Sequence, residues 1–408
     1  MPTVTGIFNT GNFVTDQAKK SFASMLTRLM PNGSAPLFAL TSKLQDRTAV
    51  AVEHGFFTKT MIFPSFALTA TITSGDTTFP VVSSASLVPG QLLRLEQTGE
   101  IVIVNTIVSS TSITVGRGIG TVAAAGITFG STNPNAYQVG NAYEESSVRP
   151  QALSITPVRI TNLTQIFRNT WALSGSSRAT QVIAGDTNVA ESRQDCAAFH
   201  AADIEKAIFF SQKSSGTRNG QPFRTMDGLI NIVGNIAYYP PSFSTPNVYA
   251  AGSTTTYAQL ISYLDPTFNQ NTDPRIGNQR LLFVGGTAFN VINGIGRLSG
   301  VYEIVAGATD FGLQFTTFKI PRGTFTMIEH PLFNTNAYWS KMAVAVDPST
   351  FSLAYLGDRK TQAMDFNQNG TPVDNGIDAV GGSLLTELTT EIRNPPANAI
   401  ITNLTAAA

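Results

Sequence analysis

Few residues of this chain could do chemistry, because the sequence contains one cysteine and three histidines. Only Cys196 and His200 lie close together, at a spacing of four that would place both on one face of a helix. A zinc site would need further ligands, and no other His/Cys pair supplies them. A Cys–His nucleophile would need a third group to orient the base, and a thiolate is favoured at the start of a helix rather than in its middle. The spacing therefore predicts that Cys196 is a small core residue and that His200 lies near an interface.

Two further patterns look like functional motifs, and each has a simpler explanation. The run GRGIG at residues 116–120 lacks the following helix and the Lys-Ser/Thr pair of a phosphate-binding loop, which indicates a hairpin. Glu144 and Glu145 are adjacent, so in a strand they would face opposite sides and could not act together as acid and base. They are typical of solvated loop charges. We therefore predict a protein that is not an enzyme, with no catalytic residue, no cofactor and no metal site.

The composition argues against several other classes of protein. Charged residues make up 13% of the chain, about half the usual share, and the formal net charge is +0. No long-range field therefore attracts DNA, RNA or an anionic bilayer. No apolar run approaches the ~18 residues of a membrane span, so no membrane association is expected. A surface so poor in charge is weakly hydrated, which favours its burial against other subunits.

The element that carries Cys196 and His200 is one long helix, predicted at 188–213. Asn188 and Glu191 have the spacing of a capping box, and a Ser-Ser-Gly sequence follows the predicted end. Intervals of three, four or seven predict the buried face, which consists of Val189, Cys196, Phe199, Ala207 and Ile208. If buried, Phe199 or Ile208 would cost ~2–5 kcal/mol on truncation to alanine.

The N-terminal segment is predicted to be an arm without a core of its own. Residues 15–30 have the pattern of an amphipathic helix, with Phe22, Leu26 and Leu29 on its apolar face. No adjacent stretch is an obvious partner for that face.

The segment between the arm and the long helix is predicted to be β-structure. Strand character begins at residue 48 and includes Phe56, Phe57 and Phe63. Within residues 66–132, short apolar runs alternate with turn signals and almost no helix pattern occurs. This alternation predicts a small barrel or sandwich inserted in the segment.

After the long helix, helix and strand patterns alternate, which predicts a central sheet with helices packed against it and an α+β fold class. The predicted elements are helices at 256–268 and 287–298, strands at 280–284, 301–305, 313–320 and 324–328, a β-pair of 342–346 with 351–356, and a last strand at 384–390.

This order of arm, β-excursion, long helix, α/β lobe and returning β-pair resembles the major capsid protein of tailed bacteriophages, the Hong Kong 97-like fold. Residues 159–172, RITNLTQIFRNTWA, carry the strongest likeness, and Gln165 and Phe167 lie in its TQIF motif. Residues 91–125 are similar to the β-module that one subgroup inserts in its extension loop. Residues 324–347 resemble the strand pair that returns from the axial to the peripheral domain.

The resemblance implies a division of the chain into domains. Its parts are an N-terminal arm (1–47), an extension loop (48–170) that contains the β-module (66–132), a peripheral domain (171–224) with the spine helix (188–213), an axial domain (225–332), a peripheral β-return (333–365) and a C-terminal arm (366–408).

The resemblance also implies a function. The chain would assemble through hexamers and pentamers into an icosahedral or prolate head shell around double-stranded DNA, without sequence-specific binding. Portal and scaffold or decoration proteins would be its partners, and it would belong to the virion after assembly in the host cytoplasm. The residues selected for packing or assembly are Phe22, Leu26, Leu29, Phe56, Phe57, Phe63, Gln165, Phe167, Phe199 and Ile208.

Two alternatives from other classes remain open at this point. A β-rich phage adhesin or receptor-binding protein would suit the inserted β-module and the Asn/Thr/Ser/Gly-rich composition, although the long helix and the α/β lobe argue against it. An enzyme ranks third, because the sequence contains no acid–base or metal-ligand cluster.

Overall fold

The computed structural model describes most of the chain after residue 45. The described residues are 46–59, 63–130, 135–154, 156–180, 188–239, 243, 245–269, 278–299, 305–310, 313–365, 367–368, 371–372 and 378–407. The helix predicted at 15–30, with Phe22, Leu26 and Leu29, lies outside them.

The described residues form a mixed set of strands and helices, which confirms the predicted α+β class. The strands are β1 (Arg47–Ala49), β2 (Glu53–Thr58), β3 (Ser65–Ala67), β4 (Thr78–Pro80), β5 (Gln91–Leu95), β6 (Ile101–Ser109), β7 (Ser112–Ile119), β8 (Asn135–Asn141), β9 (Val158–Leu163), β10 (Gln165–Ser174), β11 (Ser214–Arg218), β12 (Gln221–Thr225), β13 (Val248–Ala250), β14 (Gln279–Val284), β15 (Val305–Asp310), β16 (Leu313–Ile320), β17 (Gly323–Glu329), β18 (Ala343–Val346), β19 (Phe351–Leu356), β20 (Gln362–Asp365), β21 (Asn367–Gln368), β22 (Thr371–Pro372), β23 (Ala379–Ile392) and β24 (Ala399–Thr402). The α-helices are α1 (Gly175–Ala179), α2 (Asn188–Phe210), α3 (Leu229–Gly234), α4 (Tyr257–Leu264) and α5 (Gly286–Ser299).

The chain divides into two compact units. The first comprises Met1–Phe56 and Arg159–Ala408, and the second is Phe57–Val158. The second unit is larger than the β-module predicted at 66–132, because strand β8 lies beyond residue 132 and pairs with both β3 and β5.

The second unit is a small six-stranded sheet that closes on itself. Its strand order is β3-β8-β5-β6-β7-β4. The two end strands meet, because Thr69 N donates to Pro80 O over 3.0 Å and Val82 N donates to Ala67 O over 2.9 Å. Closure removes the exposed edges that an open sheet of this size would present. The interior is filled by apolar side chains, among them Phe66, Phe79, Leu93, Val102, Ile113 and Ile127.

The first unit is built on two sheets, and α2 packs against one of them. That five-stranded sheet has the order β1-β19-β23-β10, and β20 also pairs with β23. The long strand β23 lies at its centre and pairs with β10 over ten residues. The core between helix and sheet includes Phe167, Ile208, Phe209, Leu353 and Leu388.

Helix α2 ends at Phe210, three residues before the predicted boundary. The Ser-Ser-Gly sequence, which predicts a helix end, instead begins strand β11, which forms a hairpin with β12. The turn of this hairpin is Asn219-Gly220, and both residues have positive φ, at 53° and 74°. Asn-Gly is the sequence that favours such a two-residue turn, because both positions tolerate left-handed backbone.

The second sheet of the first unit has seven strands in the order β13-β24-β18-β14-β17-β16-β15. The helix predicted at 256–268 is α4, which begins with a capping box between Thr256 and Gln259 and continues as a 3-10 turn over Asp265–Phe268. The helix predicted at 287–298 is α5 (Gly286–Ser299). The shared core of helices and sheet includes Leu260, Leu264, Ile292, Phe318 and Phe325.

Two expectations for the C-terminal region are wrong. The segments predicted to pair, 342–346 and 351–356, lie in different sheets: β18 pairs with β14 and β24, whereas β19 pairs with β1 and β23. The predicted C-terminal arm is part of both sheets, because it supplies β23 to one and β24 to the other. Its residues Ile401 and Leu404 are fully buried. The Asn/Thr/Ala-rich composition concealed this, since only a few large apolar residues mark the segment.

Excision of the second unit is expected to leave the first unit folded. Strands β2 and β9 bound it and are neighbours in a two-stranded sheet, so a short Gly-Ser loop in place of residues 59–157 can join them as a hairpin. The expected result is a soluble protein with one cooperative thermal transition. The narrower deletion of 66–132 is the control, and it should aggregate because it leaves β8 without β5. Insolubility of the wider deletion would contradict the division into two units.

Candidate assembly surfaces

The Cys196–His200 pair is structural rather than chemical. His200 is 3% exposed, and its ring nitrogens are 2.7 Å from Asn169 Oδ1 and 2.8 Å from Thr386 Oγ1. Burial lowers the pKa of His200, although Asp203 opposes the shift, so the imidazole is neutral at neutral pH. Burial raises the pKa of the Cys196 thiol, which keeps it protonated. Cys196 is a core residue as predicted, but His200 lies inside the helix–sheet contact and not at a surface.

A second buried histidine links α2 to the seven-stranded sheet. His330 Nε2 lies 2.9 Å from Glu205 Oε1, and both side chains are fully buried. The ring stacks on Phe333 at a centroid distance of 4.5 Å and meets Phe209 edge-on at 4.9 Å. Sequence analysis missed this pair, because Glu205 and His330 are 125 positions apart and no local spacing connects them.

Two buried glutamates of β23 bind side chains from several other segments. Glu387 is fully buried and accepts from Thr164 Oγ1 over 2.9 Å. Arg359 Nη1 lies 2.8 Å and Arg224 Nη2 3.6 Å from its carboxylate oxygens. These contacts attach the joint between β9 and β10, the base of the β11–β12 hairpin and the turn after β19 to the central strand.

Glu391, four residues after Glu387 in β23, also binds side chains from several segments. It is 2% exposed, with Arg393 Nε at 2.6 Å, His54 Nε2 at 2.9 Å and Arg47 Nη1 at 3.7 Å. Strands β1 and β2 are thereby held to β23. The sequence predicted a strand at 384–390, which contains Glu387 and stops one residue before Glu391, but the alternation of Glu with Thr gave no sign that the glutamates are inside. Removing one partner would leave a buried charge uncompensated, so this glutamate cluster holds the surrounding segments of the fold together.

A third buried carboxylate, Asp227, carries an expected pH dependence. Burial raises its pKa, and hydrogen bonds from Asn231 and the Lys213 N–H only partly oppose the shift. A carboxyl whose pKa is raised in the folded state makes its full contribution to folding stability below the unfolded pKa. This contribution is lost as the pH rises through the pKa of the folded state. Asp227→Asn is therefore expected to gain stability relative to the wild type over the range in which the pH rises above about 4, the unfolded pKa of an aspartate.

Thermal melting of both proteins across that range checks this expectation. Asp203→Asn is the matched control, because Asp203 is exposed. A constant difference in melting temperature between the wild type and Asp227→Asn at all pH values would contradict it.

Other kinds of site have little support in the described part of the chain. There, no group of three or more His, Cys, Asp or Glu side chains could hold a metal ion. Among the described helices, none is long and apolar enough to cross a membrane.

The packing candidates fall into two groups. Phe167 is 6% exposed and Ile208 is fully buried, both in the core of the first unit. Gln165 is half-buried, and its Oε1 accepts from Met226 N over 3.0 Å. Phe56 is also half-buried. The exposed members are Phe57, Phe63 and Phe199, at 71%, 77% and 66%.

The prediction that Phe199 is buried is wrong for the single chain. The buried face of α2 consists of Cys196, His200, Ile204 and Ile208, which are four positions apart, so it includes one polar residue. Phe199 lies on a different, exposed face of the helix. By hydrophobicity alone, Phe199 is a better candidate for the buried face than His200. The hydrogen bonds of His200 offset the cost of burying its polar ring.

Exposed apolar side chains are distributed over both units. Contiguous exposed apolar patches mark protein-binding surfaces more often than single exposed apolar residues do. Those of the first unit include Ile166, Phe199, Phe223, Leu298, Tyr338 and Met364. Those of the second unit include Phe57, Phe63, Val108, Tyr137, Val139 and Val148.

Comparison with known proteins identifies the family. The model of the SU10 major capsid protein family matches residues 3–405. The chain belongs to this family. It is also 37% identical to a protein described as the major capsid protein of Pseudomonas phage PaMx41, and the match covers 99% of this chain and 97% of that protein.

Solved structures of other phages are similar to this chain at low sequence identity. A chain of Microbacterium phage Oxtober96 has 10% identity and a TM-score of 0.46, with 97% of each chain covered. A chain of Mycobacterium phage Adephagia has 9% identity and a TM-score of 0.45, with 99% of each chain covered.

The family assignment confirms the resemblance found in the sequence. The chain is a phage major capsid protein and therefore a virion protein. It is a structural protein, and nothing in these matches favours the adhesin alternative.

Proposed function

We propose that this capsid protein assembles through hexamers and pentamers into an icosahedral or prolate head shell around the double-stranded DNA of a tailed phage. The observation that carries the proposal is the family match over residues 3–405. Copies of the chain would cover the exposed apolar side chains that a free monomer leaves in water.

The two sheets of the first unit have different parts in the proposed shell. The five-stranded sheet with α2 would form the peripheral domain. The seven-stranded sheet with α4 and α5 would form the axial domain, which meets its symmetry mates around five- and six-fold positions. The second unit would belong to the extension loop that lies over a neighbour.

The near-zero net charge suits a container for DNA. Like-charge repulsion among many copies is small when each carries a formal charge of +0. A wall without an excess of basic residues makes few phosphate contacts, so DNA would be enclosed without sequence-specific binding. Portal and scaffold or decoration proteins are the expected partners, and assembly would take place in the host cytoplasm.

Electron microscopy and the solution mass of the purified protein test this proposal. The expected result is closed shells, or capsomers of five and six subunits, with a mass that is a multiple of the subunit mass. A monomer that persists at high concentration would contradict it.

A further inference from the structure

The hairpin β11–β12 is regular in structure although the rest of the same chain covers little of its surface. Every residue from Ser214 to Phe223 is exposed. Two-stranded hairpins are only marginally stable in water unless a third strand or an apolar surface covers them. The base is held, since Thr225 Oγ1 donates to Gln212 O over 2.6 Å. The outer part, 216–223, therefore presents a surface suited to a partner.

The charge on this hairpin has one sign. Residues 211–226 contain Lys213, Arg218 and Arg224 and no acidic residue. Lys213 Nζ donates to Thr161, and Arg224 lies beside Glu387. Arg218 directly precedes the turn, and among the described residues it forms no ion pair. Phe223, 42% exposed, supplies an apolar group on the other strand.

The second unit contains a turn with the complementary chemistry. Ser147 N donates to Glu144 O over 3.1 Å, which closes an acidic turn at 144–147 that carries Glu144 and Glu145. In the described part of the chain neither carboxylate forms an ion pair. Val148, 87% exposed, follows the turn at once. Both features thus combine an exposed charge without a counter-ion and an exposed apolar side chain.

We propose that the tip of hairpin β11–β12 of one copy binds the acidic turn 144–147 of a second copy. Arg218 pairs with Glu144 and Glu145, and Phe223 packs on Val148. Each exposed ion pair contributes only about 0.2–1 kcal/mol, but the contact repeats with every subunit, so its effect on assembly is summed. This interface rests on the proposed assembly into a shell.

Cysteine crosslinking in the full-length protein tests the contact. The one native cysteine, Cys196, is buried. Particles of the Arg218→Cys, Glu144→Cys double variant, treated with oxidised glutathione, are expected to give dimers and larger covalent multimers on a non-reducing gel. The control is Arg297→Cys with Glu144→Cys, because Arg297 is an exposed basic residue at the end of α5.

The crosslinking outcomes separate this contact from the shell itself. Particles seen by electron microscopy that yield only monomer, or as much multimer in the control, would overturn the contact while the shell proposal stands. A crosslink confined to single chains would also overturn it. Wild-type protein that forms no particles would instead overturn the proposed function.

Charge reversal gives an independent readout. Arg218→Glu, and separately Glu144→Arg with Glu145→Arg, are each expected to lower the yield of particles by at least about fivefold, the factor that corresponds to ~1 kcal/mol at a single contact. The three substitutions together restore opposite charges and should return the yield to within about twofold of the wild type. Thermal melting of each subunit verifies its fold. Wild-type yields from Arg218→Glu, or no recovery in the combined variant, would overturn the proposal.

Discussion

Replacing Phe209 with alanine is expected to destabilise the first unit by about 3–5 kcal/mol. The Phe209 side chain is fully buried at the junction of α2 with both sheets. Its ring contacts Phe283 at 5.6 Å and Phe333 at 5.1 Å, both edge-to-face. Truncation removes these contacts and leaves a cavity that the surrounding strands are too constrained to fill. Denaturant unfolding of the unassembled subunit, followed by circular dichroism, measures the loss.

Phe199→Ala is the matched control on the same helix. The substitution is identical, but the side chain is 66% exposed. Subunit stability should therefore change by less than about 0.5 kcal/mol. If Phe199 is covered by another copy in the shell, its truncation lowers particle yield instead. Equal destabilisation of the two variants would show that the environments assigned to these residues are wrong.

Replacing Glu100 with glutamine is expected to destabilise the second unit by about 3–5 kcal/mol, because it leaves a buried arginine without its counter-ion. Glu100 is fully buried and accepts from Arg117 Nε over 3.0 Å and Nη2 over 2.7 Å. Arg117 also donates to Thr73 O and Ala125 O, over 2.5 and 2.6 Å. The pair therefore holds two loops as well as the strands β6 and β7.

The Glu100 effect should depend on pH in a defined direction. Burial by itself raises the pKa of this carboxyl, but hydrogen bonds from Arg117, Gly118 N and Ala125 N outweigh it, so the pKa lies below its usual value. A lowered pKa contributes stability above the unfolded pKa, and this stability is lost as pH falls through the folded value. The difference in melting temperature between wild type and Glu100→Gln should therefore shrink in acid.

Limited proteolysis combined with thermal melting locates the Glu100 effect. Cleavage should increase within 57–158 and remain unchanged in the first unit. Glu96→Gln is the control, because the Glu96 side chain is exposed and accepts from Asn135 Nδ2 over 3.3 Å. Identical melting of the two variants, or a difference that does not vary with pH, would contradict the role given to the buried pair.

Local signals in the sequence predicted most elements of the fold. The apolar patterns of 256–268 and 287–298 located two helices to within a few residues. Strands 313–320 and 351–356 were predicted with the bounds observed. These elements carry their own pattern, because each buries one face against a neighbour. The pairing of strands was harder, since β18 and β19 are joined by four residues and yet belong to different sheets.

The candidate surfaces were predictable only in part. The family was recognised from packing motifs such as TQIF, and Phe167 is indeed a core residue. Sequence analysis did not find the glutamate cluster, because the partners of Glu387 come from residues 164, 224 and 359. Buried charge is rare enough that a Glu in an apolar strand is normally assigned to the surface. The error at Phe199 has the same origin, since hydrophobicity alone does not identify which face of a helix finds a partner.

The position of β23 and β24 in the chain affects the order of events during synthesis. Both strands follow every other strand of their sheets in the sequence, and β23 is the central strand of one sheet. On the ribosome, neither sheet can be completed until these last strands have emerged, whereas the closed six-stranded unit can fold once residue 158 is available. A nascent subunit therefore cannot present its finished surfaces to other copies before β24 has emerged, which separates synthesis of these sheets from growth of the shell.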